Sequence, residues 1–247
     1  MRIKYFAIVL ALAAGLAMGQ KVKSQKELDA VKAMLAAQTP DAKIAAVEDL
    51  LTKYKDTEFK SIALTQAAQA AQIKGDQIAG LQYANRALEA DSKNYQAMLL
   101  VAQLSVQGTR EFDLDKDEKL GRATKAANDA IAALGTAPKP NPQLADDQWA
   151  GIKKDFVAQA HEALGMVAAL QKKPDVAITE FKTALDNAAT PEPGTMVRLA
   201  SVYDDQGKYD EANALLDKVI ASNAPDGIKR VAQNEKQRGD KMKAAKK

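Results

Sequence analysis

Apolar residues recur at three- and four-residue intervals along much of this chain, the spacing that lines one face of an α-helix. One such stripe runs Trp149, Ile152, Phe156, Ala160, Leu164, and another near the start carries Met34, Ala46, Leu50 and Tyr54. Ser24 followed by Glu27 has the form of a capping box ahead of a first helix. The patterning predicts further helices over 95–107, 119–134, 145–171 and 228–243. Two interruptions separate them: residues 110–118, rich in acidic groups, and residues 135–147, where Pro138, Pro140 and Pro142 preclude a continuous helix.

Within the helical pattern a phrase returns. Near the end it reads Leu199-Ala200, Tyr203, Gly207, Tyr209, Ala212, Leu216, Val219. An upstream copy has Leu164-Gly165, Ala168, Ala177, Phe181, Ala184 and Leu185, with Lys173-Pro174-Asp175 at the turn. A third has Ala67-Ala68, Ala71, Gly75, Gly80, Ala84, Ala87 and Leu88. The phrase resembles the tetratricopeptide repeat, in which small residues let two antiparallel helices approach and larger ones fill the space between hairpins. Copies fall at about 27–60, 61–94, 95–134 with the insertion, 158–191 and 193–226.

The resemblance implies an all-α fold: a right-handed superhelical solenoid of four to five antiparallel helical hairpins over residues 20–227. Residues 228–247 then form a capping helix and basic tail. It also implies a concave face lined by first helices, on which a peptide or a partner's helix lies. By register that face carries Gln66, Gln69, Gln72 and Ile73, then Gln96, Leu99, Gln103 and Gln107, and further along Glu162 and Met166. Side-chain amides both donate and accept, which suits a peptide backbone; glutamines are also ordinary solvated helix formers. Members that grip a terminal carboxylate place lysine where this chain has Thr65, Leu99 and Glu162.

Composition narrows the function. With 47% apolar residues and 5% aromatic ones, the chain suits closely packed helices around a core. Arg2 and Lys4, the apolar run from Tyr5 to Leu16, and small residues at Ala17 and Gly19 read as a signal peptide over residues 1–19, with Gln20 first after cleavage. The run is shorter than a membrane span needs, so the reading is a periplasmic or secreted protein with no integral membrane segment after cleavage. Residues 228–247 carry eight Lys/Arg against Glu235 and Asp240. That tail is read as a solvated end resting on a mildly acidic body, or touching an anionic surface weakly. It lacks the interleaved aromatics of a nucleic-acid platform.

Enzyme chemistry finds few parts. There is no cysteine, and His161 is the one histidine, so zinc sites and histidine-based triads lack their components. His161 falls at a packing position between paired helices. Asp113, Asp115 and Asp117 alternate as in half of a calcium loop, but Glu118 stands where glycine is required and Thr124 where a closing glutamate belongs. Asp146-Asp147 and Asp204-Asp205 read as solvated or capping groups. No cofactor or metal is called for, and the chain reads as a protein-binding scaffold or adaptor rather than an enzyme, with a place in cell-envelope assembly. The other reading is a solenoid binding a small molecule or glycan beside Trp149 and the proline-rich crossing.

Overall fold

A computed structural model describes residues 21–245; the segment read as a signal peptide lies outside the described residues. Among these residues there are eleven helices and no strand. In chain order they are α1 (Gln25–Ala36), α2 (Pro40–Lys53), α3 (Lys60–Lys74), α4 (Gln77–Ala90), α5 (Tyr95–Gln107) and α6 (Lys116–Thr136). They continue as α7 (Asp146–Leu170), α8 (Pro174–Asn187), α9 (Pro193–Asp205), α10 (Tyr209–Ala221) and α11 (Asp226–Ala245). Two compact units are formed: one runs as far as Gly108 and includes Asn128–Ala150, and the other joins Thr109–Ala127 to the chain from Gly151 onward.

In the first unit α1 packs on α2, α2 on α3, α3 on α4 and α4 on α5, while α3 also meets α5. Sequential packing of neighbours, with one first helix also meeting the next, is the order of stacked hairpins. Val31, Met34, Val47, Leu50 and Phe59 close the first layer, and Ala63 and Ala67 of α3 complete it. Ser24 Oγ accepts the Glu27 N–H at 3.2 Å, and the Glu27 carboxylate returns to the Lys23 N–H at 2.6 Å, so the capping box closes one residue early. Thr39, Asp76 and Asn94 cap α2, α4 and α5 in the same way, each through its side-chain oxygen. Trp149 is buried, and its indole N–H donates to the Ala137 carbonyl at 3.3 Å, pinning the non-helical segment 137–145.

In the second unit α8 packs on α9, α9 on α10 and α10 on α11, and α9 also meets α11. Its core contains Ala168, Ala177, Phe181, Leu199, Ala200, Tyr203, Ala212, Leu216 and Val219, the residues that carry the repeat phrase. Gly165 lets α7 and α8 close: a methyl group there would stand 2.6 Å from Phe181 Cδ1. Gly207 takes the left-handed conformation at the α9–α10 turn, as Gly75 does at α3–α4. At the equivalent turn before α8 the left-handed residue is Lys172, at φ 58°, and its ammonium meets Glu111 at 2.6 Å.

Some boundaries differ from expectation. Helix α6 starts at Lys116, so the last three residues of the expected 110–118 insertion are helical; Asp117 and Glu118 there favour the positive end of the helix. The basic tail rests on acidic residues of the preceding helices, as expected: Lys236, Arg238 and Lys243 pair with Asp217, Asp205 and Asp210. Asp205 is exposed as expected. Asp204 is not solvated, because α11 covers it and leaves it 1% exposed.

Candidate functional site

The candidate face in the first unit is built on α3 and α5. Ala63, Leu64, Ala67, Ala68 and Ala71 of α3 are fully buried, which lets neighbouring helices come close. A methyl at Gly80 of α4 would lie 3.0 Å from Leu104 Cδ1 of α5 and 3.4 Å from the Ala68 carbonyl. This proximity joins the glutamine row. Gln66 Nε2 donates to Gln69 Oε1 at 3.3 Å, and Gln72 Nε2 reaches across to Gln103 Oε1 at 3.4 Å. Gln69, Gln72, Gln96 and Gln103 are half-buried, Gln66 is nearly covered, and Gln107 is exposed at the end of α5. Ile73 continues the line with 76% of its surface open.

Leu99 does not share that accessible face. It is 3% exposed, because α5 is packed on most of its circumference: Ala97, Met98, Leu100, Val101, Ala102, Leu104 and Val106 are buried too. Thr65 is equally interior, and its hydroxyl accepts from Asn94 Nδ2 at 3.0 Å while donating to the Ser61 carbonyl at 2.8 Å. Asn94 also donates to Ser61 Oγ at 2.8 Å, and Ser61 donates to the Ala87 carbonyl at 2.9 Å. These bonds tie α3 to the end of α4 and the start of α5, and they satisfy polar groups that burial would otherwise penalise.

In the second unit Glu162 of α7 pairs with Arg198 of α9 at 2.8 Å. Burial pushes the Glu162 carboxyl above its ordinary value, with Arg198 and a hydrogen bond from Thr195 opposing the shift. Met166 is half-buried against the core. Sequence reasoning selected Glu162 and missed Arg198; the signal was register, since Arg198 occupies nearly the same place on the next first helix. The three positions where a carboxylate-gripping lysine would stand are thus an interior threonine, an interior leucine and an acid already paired.

The remaining candidates are structural in their surroundings. His161 Nδ1 lies 2.6 Å from Glu180 Oε2, linking α7 to α8. Asp113 and Asp115 both meet Lys119 Nζ at 2.9 Å. Asp146 pairs with Lys139 at 2.7 Å. Among the described residues no group of three or more His, Asp or Glu side chains is arranged to hold a metal ion, and no helix is long and apolar enough to cross a membrane. One cavity of ≈ 380 Å³ lies in the second unit by Lys116, Leu170 and Lys172, and another of ≈ 320 Å³ lies in the first by Glu27, Tyr54 and Thr57. Trp149 lines neither.

These helical hairpins give an all-α, helical-repeat fold that resembles the tetratricopeptide-repeat fold. Residues 193–226 match the tetratricopeptide repeat family model, the span of the last copy read from sequence. Among solved structures, a thermophilic TPR protein from Thermus thermophilus is similar at a TM-score of 0.57 and 20% identity, covering 87% of this chain and 98% of that one. MamA aligns at a TM-score of 0.47 and 15% identity, over 82% of this chain and 91% of its own. A tetratricopeptide repeat protein from Parabacteroides merdae aligns at 0.40 and 16%, over 94% and 91%. A search of curated protein sequences finds no match.

Proposed function

We propose that this chain is an exported scaffold that holds a segment of another protein against the glutamine-bearing faces of its first helices. The observation that carries the reading is the row along α3 and α5, where Gln72 and Gln103 meet across two successive first helices. Side-chain amides both donate and accept, as a face that holds an extended backbone requires. Stacked hairpins are generally binding scaffolds, and binding rather than catalysis is the activity this arrangement supports. The Glu162–Arg198 pair supplies an ionic contact of its own in the second unit. A small-ligand site at Trp149 draws less support, because that side chain is buried and its one donor is engaged by Ala137.

The test exploits the direction of the amide bonds. Gln69 and Gln103 accept within the row, so Gln69→Glu with Gln103→Glu keeps those contacts while deleting free donors and adding charge. The melting curve should hold. Losing about 0.5–1.5 kcal/mol per net hydrogen bond at two sites should weaken retention of partners captured from a cell-envelope fraction roughly tenfold. Gln237→Glu, at an exposed position on α11, should change nothing. Equal retention by the double variant and the parent would refute the face. Export is tested separately: residues 1–25 fused to a reporter active only outside the cytoplasm should give signal, and a cytoplasmic full-length product would refute it.

A further inference from the structure

Asp204 stands at the end of α9, under the last helix. It is almost wholly buried, and both carboxylate oxygens are shielded from solvent without a hydrogen-bond partner. Directly above it is Gly239 of α11; a methyl there would fall 2.5 Å from Asp204 Oδ1. The glycine therefore lets α11 lie flat over a carboxyl group. Other charges around it leave the group uncompensated. From α11, Glu235 and Asp240 add negative charge and Arg238 adds positive, and from α9 Asp205 is negative. Arg238 spends its donors elsewhere, on Glu235 at 2.7 Å, Asp205 at 2.8 Å and Ser201 at 3.3 Å. On the α10 side, Asn213 is held by Asp240 at 3.1 Å and Asp210 by Lys243 at 2.6 Å, while Tyr209 is buried at the start of the helix.

We infer that α11 is a proton-gated cap: it docks firmly on α9 and α10 when Asp204 carries a proton and opens more readily when Asp204 is ionised. A protonated carboxyl against a glycine and neighbouring carboxylates costs less to bury than a carboxylate there, which has lost its water and faces like charge. Burial first, then Glu235, raises the Asp204 pKa from 3.8 to about 6. Because the docked state holds the proton more tightly, docking is strongest below the ordinary value of 3.8 and weakens as pH rises through about 6. Ile228 and Ala232 of α11 pack on the same cluster as Val202, Leu216 and Val219, so opening uncovers the apolar end of the second unit.

Hydrogen exchange along α11, corrected for intrinsic rates, measures this in the full chain at pH 5 and pH 7.5. In the parent the opening equilibrium should increase about tenfold between the two, from linkage over that interval. Asp204→Asn keeps shape without charge and should abolish the increase, protecting α11 at pH 7.5 as the parent is protected at pH 5. The remaining titratable groups are common to both proteins, so the difference between them isolates Asp204. Gly239→Ala should open α11 at both pH values. Identical pH profiles for parent and Asp204→Asn would overturn the cap, as would α11 protection that Gly239→Ala leaves untouched.

Discussion

In the hairpin α3–α4 the packed positions are Ala67, Ala68, Ala71, Gly80, Ala84 and Ala87, whereas in α9–α10 the corresponding places hold Leu199, Ala200, Tyr203, Ala212, Leu216 and Val219. Both hairpins turn through a left-handed glycine, Gly75 and Gly207. Only the second set matches the family model. One backbone arrangement is therefore reached by two packings, backbone-close with small side chains or filled with large ones. Close packing frees the outer positions of α3 for glutamines that reach the next helix, and the filled version spends its bulk on the core.

That contrast is broken or sharpened by substitution. Ala212→Leu adds three carbons to a fully buried position in the filled hairpin and should lower stability by about 1–3 kcal/mol, read as a lower denaturant midpoint at unchanged slope. An unaltered midpoint would mean that the gap between α9 and α10 is not tight. Gly165→Ala drives a methyl into the Phe181 ring; the clash exceeds the roughly 1 kcal/mol gained in helix propensity, leaving a net loss of about 1 kcal/mol.

The turns supply an opposed pair. Lys172→Gly relieves a left-handed lysine and should stabilise by about 1 kcal/mol, while Gly207→Ala should lose a similar amount. The exposed pair with Glu111 subtracts only a few tenths from the gain. If both changes destabilise, the Lys172 contact matters more than its backbone. The smallest effect is expected at Gly80→Ala, which installs the residue that the last hairpin has. The nearest atom is the flexible tip of Leu104, so a small clash and the propensity gain should cancel to within about 0.5 kcal/mol. A loss above about 1 kcal/mol would place Gly80 with Gly165 as an obligatory close approach.

The glutamine row shows how far register carries a site. Gln66 and Gln69 meet within α3, and Gln72 and Gln103 meet across α3 and α5 because repeats of near-constant length bring the same faces of successive first helices side by side. Leu99 is placed on that face by the same register and is interior, since α5 is covered on nearly all sides. Periodicity reports which residues of one helix share a face; it does not report how many neighbours that helix has. Arg198 for Glu162 and Glu180 for His161 were missed for a related reason: each partner lies on another helix, 36 and 19 residues away.

What the sequence determined by itself is local and periodic: the helical stretches among the described residues, their caps at Ser24, Thr39, Asp76 and Asn94, the breaks at the prolines, and the repeat that pairs helices. These follow from interactions within three or four residues, which the order of residues specifies directly. Tertiary structure alone decided the environment of single polar groups. Asp204 and Asp205 are adjacent acids on one helix, yet one is sealed beneath Gly239 and the other is exposed against Arg238. Burial and charge pairing are sums over every element that arrives nearby, and α11 arrives from more than twenty residues further along the chain.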